Sequence, residues 1–220
     1  MTKSRALIQA GCRTLQQLTL VVAVILLFGC STNVTVNGDY PTALVARQPL
    51  SVGLVLSDSF SNYHFTSEKD SRQPVTMALG ASQVTLFNRV FTDMFQSSAT
   101  LQTLPTGKNA LDLMIVPEIT EVQLATPMET RLNVYEVWLK YNLKVYDGNG
   151  QPVADWMMSA YGKTQSRFLK SDEEALNQAT VVALRDAGAR LLTGFQKIPE
   201  IRQWLANRQI PAKLSQRTVR

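Results

Sequence analysis

The chain has 220 residues, 45% hydrophobic and 18% charged, with a formal net charge of +5, two cysteines and one histidine. The length suits a single domain with its own core, and no internal repeat is apparent. The basic balance invites a nucleic-acid partner and the cysteine pair a disulfide; the first thirty residues remove both.

That stretch opens with Lys3, Arg5 and Arg13 and holds no acid, and an almost purely apolar run follows over 18–28, broken only by Thr19. These are the basic and apolar regions of a bacterial export signal, too short for a comfortable transmembrane helix. The run closes on Leu27-Phe28-Gly29-Cys30, with Ser31 behind it. The tetrapeptide resembles the lipobox of bacterial lipoproteins: a Leu, a tolerant position, a small residue, and the Cys that is modified. The resemblance implies a diacylglycerol on the Cys30 thiol and cleavage between Gly29 and Cys30. An Asp after the Cys would resemble the inner-membrane retention signal. Ser31 stands there instead, which favours the outer membrane, on the leaflet facing the periplasm. Acyl chains contribute about 0.8 kcal/mol per buried methylene, so several chains on one Cys form an effectively permanent anchor. An uncleaved single-pass anchor or a plain secreted protein would explain the apolar run but not the tetrapeptide.

Residues 1–29 read as a cleaved signal, leaving 191 residues with 19 Lys and Arg against 17 Asp and Glu, a net of +2. A nucleic-acid reading loses its support on that balance. Cys12 leaves with the signal and Cys30 is acylated, so the domain is expected to hold together by packing, without a disulfide.

Residues 30–49 are polar and turn-rich and read as a lipidated tether, with 33–36 able to pair briefly as an edge strand. The domain is expected over 50–207, beginning with a buried strand at 50–56. Ser57-Asp58-Ser59 punctuates it, and 60–72 reads as a loop or irregular strand. Over 75–98 the period changes: Val84, Phe87, Phe91, Met94 and Phe95 form one apolar stripe, which predicts a core helix. A break at 103–109 leads to a strand at 111–120 that Pro117 ends or brings to an edge. Residues 132–146 alternate most cleanly, with Val137, Leu139, Tyr141, Leu143 and Val145 on one face and Trp138, Lys140, Asn142, Lys144 and Tyr146 on the other. Asp147-Gly148-Asn149-Gly150 supplies a hairpin turn, and 151–163 returns antiparallel. Ser171-Asp172-Glu173-Glu174 reads as a capping box for a second core helix to about Thr193, with Leu176, Ala179, Ala183, Ala187 and Leu191 inward and Gly194 as C-cap. Pro199 starts a short helix bearing Ile201, Trp204 and Leu205. Pro211 reads as a stop for it, and residues 208–220, with Lys213, Arg217 and Arg220, read as a basic disordered tail.

The order predicts an α+β fold: a largely antiparallel sheet with two long helices packed on one face. That order behind a lipobox resembles a loose group of envelope lipoproteins: YajG-like proteins, the Pel-polysaccharide lipoprotein, the curli secretion-channel lipoprotein and, with them, the amino-terminal domain of TolB. The matching features are 50–56, the helix near 78–97, the turn at Gly148-Asn149-Gly150, and Glu174-Ala175-Leu176 ahead of Ala183-Leu184-Arg185-Asp186-Ala187. The resemblance implies an accessory or assembly role at the outer membrane without catalysis. No membrane-crossing hairpin like that of the curli channel is evident. A more distant likeness is to lipoproteins that assist ABC-type lipid transporters.

No catalytic, metal or cofactor site is expected. His64 is the lone histidine, and Ser57 and Ser59 lack a nucleophile elbow. Asp172, Glu173 and Glu174 are already explained by capping, Glu118 and Glu121 as solvated carboxylates, and Gly107-Lys108 lacks the rest of a phosphate loop. Tyr63, Trp138, Lys140, Trp156 and Trp204 are the candidate partner contacts, with Tyr161 beside them; Trp138 and Trp156 form a cross-strand pair or pack beneath a helix. The expected function is recruitment of an envelope protein by a lipid-anchored domain. The rival is a transport accessory that binds lipid or glycan in an apolar groove between helices and sheet.

Overall fold

The computed structural model describes residues 32–67, 74–107, 109–165 and 171–217, with side chains to Arg208. The export signal, Gly29 and Cys30 lie outside the described residues, as do Lys108 and Arg220. The strands are β1 (Thr32–Thr35), β2 (Gln48–Val55), β3 (His64–Thr66), β4 (Val75–Ala78), β5 (Phe95–Leu101), β6 (Leu113–Ala125), β7 (Val134–Asp147) and β8 (Pro152–Gln165). The long helices are α1 (Gly80–Met94), α2 (Asp172–Gly194) and α3 (Pro199–Arg217). Five strands form one sheet in the order β5-β2-β6-β7-β8, and β1-β4-β3 form a second, smaller one. The long β6–β7 and β7–β8 pairings, with β3–β4, make most paired residues antiparallel, so the α+β expectation holds; β2 pairs parallel with β5 and β6, and β1 with β4.

The core is built on β7. Val137, Leu139, Tyr141, Leu143 and Val145 are fully buried, as the alternation predicts; α2 presses on that face, and α1 reaches it through Phe87. Leu176, Ala179, Ala183, Ala187 and Leu191 of α2 are equally buried. The alanines let the helix backbone come close. At Gly162 of β8, an added Cβ would stand 2.2 Å from the Ala179 carbonyl oxygen and 2.2 Å from the Ala183 nitrogen. From α1, Phe87 packs edge-on to Phe60 at 5.2 Å and tilts against Tyr141 at 5.4 Å, while Phe95 meets Phe195 edge-on at 5.5 Å. Gln83, fully buried, donates to the Phe60 carbonyl at 2.5 Å and accepts from the Tyr141 hydroxyl at 3.2 Å. This satisfies the polar groups that the aromatic cluster encloses.

Several expected boundaries move. The helix expected over 75–98 is cut at both ends: Val75–Ala78 is β4, and the chain turns extended at Phe95 to enter β5. Phe95 fits the helical stripe, four residues after Phe91, yet it meets the core from a strand. β6 runs on through Pro117 to Ala125. Its pairing with β2 stops at Ile115, so Pro117 stands where that side of β6 has become an edge and needs no donor. Gly194 is not a left-handed cap: its φ is −99°, and a Cβ there would strike Trp156 at 2.9 Å.

The two ends of the domain differ most from expectation. Residues 32–40, expected within a tether, are part of the fold: β1, close to the edge strand expected at 33–36, pairs with β4, and Val34, Val36 and Tyr40 are buried. Both helices hold this segment. Asn37 N donates to Asn177 Oδ1 at 2.9 Å, Arg185 Nη2 donates to the Asp39 carbonyl at 2.9 Å, and Ala43 N donates to Asp93 Oδ2 at 2.8 Å. At the other end the helix expected to stop by Pro211 continues to Arg217, so 208–217 belong to α3 and not to a disordered tail. The proline removes one backbone bond, which a helix already anchored upstream tolerates. That anchor is Arg208, whose Nη2 lies 2.6 Å from Asp112 Oδ1.

Gly162→Ala is expected to lower stability by about 1–3 kcal/mol, the usual cost of overpacking, because the obstacle is helix backbone. Chemical denaturation checks it; an unchanged midpoint would contradict the close contact.

Candidate functional site

The face of β6, β7 and β8 turned away from the helices carries the side chains left over by the core. The register fixes their neighbours: Trp138 stands opposite Tyr161, Lys140 opposite Ser159, Asn142 opposite Met157 and Lys144 opposite Asp155. On the other flank, β6 sets Gln123 beside Trp138, Glu121 beside Lys140 and Glu118 beside Asn142. An irregularity between Ile119 and Glu121 shifts the β6 register by one residue, which brings Glu121 out beside Lys140.

Two kinds of contact result. The Trp138 and Tyr161 rings lie 5.1 Å apart at 41°, and Trp138 remains 37% exposed and Met157 50% exposed. The Tyr161 hydroxyl donates to Glu136 Oε1 at 2.7 Å. Burial pushes this phenol up and the neighbouring carboxylate adds to the effect, to about 12. Around the rings runs a charge ladder: Lys140 Nζ is 3.7 Å from Glu121 Oε2, Lys144 Nζ is 2.8 Å from Glu118 Oε1, and Gln123 donates to Glu121. The hydrogen bond to Glu118 raises the Lys144 pKa. Glu118 and Glu121, expected as solvated carboxylates, stay partly exposed and are each paired with a lysine. Surface pairs of this kind contribute about 0–1 kcal/mol each, so they order side chains more than they stabilise the fold. Glu121, Gln123, Trp138, Leu139, Lys140 and Ser159 line a shallow groove of about 180 Å³.

The structure brings together only part of the expected contact set. Trp138 and Lys140 share the outer face. Trp156 lies opposite Leu143, on the inner face, with its ring under Gly194; it packs beneath a helix and does not pair with Trp138. Tyr63 is half-buried against the core, where its carbonyl accepts from Leu79 N at 3.0 Å and Gly80 N at 3.1 Å. Trp204 sits half-buried on α3 with the Arg208 guanidinium 5.0 Å above its ring. The residue overlooked in the sequence is Met157. It reaches the outer face, four residues from Tyr161, because a register irregularity between Val145 and Tyr146 shifts β8 by one residue.

The catalytic alternatives have local explanations. His64 is exposed, with Nδ1 2.7 Å from the Asn62 carbonyl oxygen. Ser57 Oγ accepts from Phe60 N at 3.3 Å, capping a single helical turn, and lies 3.0 Å from Ser59 Oγ. Ser171 Oγ accepts from Glu174 N at 3.1 Å, and Tyr135, buried, has its phenol pKa raised by that burial and by the Asp172 carboxylate. Among the described residues, no three His, Cys, Asp or Glu side chains gather as a metal would require, and no helix is long and apolar enough to cross a membrane.

No family model matches the chain, and no curated protein matches it. Among solved structures it is similar to a protein of the DUF330 family from Xanthomonas campestris, at 11% identity over 74% of this chain and 90% of that one, with a TM-score of 0.46. A minor lipoprotein from Acinetobacter baumannii matches at 12% identity, over 74% of this chain and 96% of that one, with a TM-score of 0.40. A candidate lipoprotein from Caulobacter crescentus matches at 13% identity, over 59% of this chain and 84% of that one, with a TM-score of 0.37.

Glu136→Gln is expected to bring the Tyr161 phenol down from about 12 toward the ordinary range. The raised folded value means this contact's stabilisation is complete below the unfolded phenol pKa of about 10 and is lost as the pH rises toward 12. An ultraviolet phenolate titration against a Tyr161→Phe reference checks it; no change on losing Glu136 would contradict the assignment.

Proposed function

We propose that this chain is an outer-membrane lipoprotein, acylated at Cys30 and facing the periplasm, and that its domain recruits an envelope protein through the outer face of β6, β7 and β8. The role is binding and assembly, without catalysis or cofactor. The observation that carries it is the exposed Trp138, held by Tyr161 on a sheet face that no helix covers among the described residues, with Met157 exposed on the same face four residues along β8 from Tyr161. A rigid aromatic with the Lys140–Glu121 pair at its rim, and an adaptable Met further along the same face, has the make-up of an interface centre and rim. The export signal and Leu27-Phe28-Gly29-Cys30 support the anchor. The lipid-carrier alternative needs an apolar groove between helices and sheet, and the groove on the outer face is not of that kind. Its lining mixes Glu121, Gln123, Lys140 and Ser159 with Trp138, and its roughly 180 Å³ falls short of the 300–1,000 Å³ usual for small-molecule sites.

The test places a photo-crosslinking amino acid at Trp138 in the full chain in intact cells, and the same probe at Val182 on the far side of α2 as control. A protein captured at 138 and absent at 182 is expected, with capture lost in Cys30→Ala, which should also move the chain to the soluble fraction. Equal capture at both positions, or none at 138, overturns the docking face. Membrane retention of Cys30→Ala overturns the anchor separately. With the probe moved to Ser159, which lines the same groove, Trp138→Ala should weaken capture about thirtyfold, as loss of an interface anchor worth about 2 kcal/mol would.

A further inference from the structure

The large sheet has two outer strands, and the protein treats them differently. On β8 the Tyr161 amide donates to Asp186 Oδ2 of α2 at 2.9 Å, and the same oxygen holds Arg190 Nε at 2.9 Å. A helix carboxylate thus occupies the middle of that edge, one of the ways in which proteins prevent strands from adding to a sheet. β5 has no such guard among the described residues. It pairs only with β2, Gln96 through Thr100 are exposed, and Phe95–Leu101 contains neither a charge nor a proline.

We propose that β5 is a self-association edge, through which two copies of this chain pair their β5 strands antiparallel about a twofold axis at Ser98. The pairing sets Ser98 opposite Ser98, Ser97 opposite Ala99, Gln96 opposite Thr100 and Phe95 opposite Leu101. An isologous contact places a strand against itself, so any charge on it would face its own kind. This strand carries none, and its smallest side chains lie at the axis, where the two copies approach most closely. A charged foreign strand, by contrast, would find no countercharge on it. The strand is also held ready from its own chain. Thr100 Oγ1 donates to Asn88 Oδ1 at 2.8 Å, and Thr92 Oγ1 lies 3.3 Å from Ser98 Oγ, so α1 fixes the polar side chains in place. Less ordering remains to be done on association. Pairing joins two five-stranded sheets into one of ten, with β8 left at each end behind Asp186. The proposal is independent of the docking face, which lies at the opposite end of the sheet.

The test is disulfide trapping in the full chain in its own membrane. Opposed residues on paired strands have Cα atoms within the range a disulfide spans. Ser98→Cys is expected to give a band at twice the monomer mass, several-fold stronger than Val182→Cys or wild type, the latter giving the background. Ser97→Cys co-expressed with Ala99→Cys should cross-link as a mixed pair. In detergent, wild type should sediment as a dimer and Ser98→Lys as a monomer of unchanged thermal stability, because an exposed strand residue tolerates Lys. A Ser98→Cys band no stronger than the two references, or one at the mass of a different protein, overturns the proposal.

Discussion

The constraint on which the structure depends is the close approach of α2 to β8 at Gly162. Helix backbone lies where a side chain would stand, so the small residues of α2 and the missing Cβ on the strand are one requirement seen from two sides. Because α2 seats this deeply, its neighbour α1 reaches Tyr141 through Phe87, and one sheet face is consumed by helices. The other face is then free to carry side chains chosen for something besides packing. Burial on one side and function on the other follow from the period-two geometry of β7 alone.

The outer face shows how polar surroundings can fix an aromatic group. Trp138 rests on Tyr161, Tyr161 is tied to Glu136, and Lys140 is drawn to Glu121 at the β6 irregularity. None of these contacts contributes much to folding. Together they hold a large ring at a defined angle in water, which lowers the entropy lost when something binds it.

The sequence was most legible where one physical demand acted alone. β7 alternates because only one of its faces is buried, and α2 declares itself through Ser171 and its inward alanines. It was least legible where a residue satisfied two patterns. Phe95 completes the α1 stripe and also meets Phe195 from β5, so the period ran past the true helix end. The facing of Trp156 could not be read from composition, since it depends on a register irregularity between Val145 and Tyr146. β1 is short and polar and gains its partners from β4 and α2, distant in the chain. Pro211 looked like a stop because propensity does not know that Arg208 has already fastened the helix to Asp112.

The incorporation of β1 into the fold changes what an acylated Cys30 would mean. A chain covers at most about 3.6 Å per residue, so only some 7 Å of backbone separates Cys30 from Thr32, where the folded domain begins. That leaves no leash. Such a domain would ride on the lipid headgroups with its smaller sheet nearest the bilayer, its tilt restricted and its reach into the periplasm set by its own dimensions. Partners would then be met only at that height above the membrane, and in a narrow range of orientations.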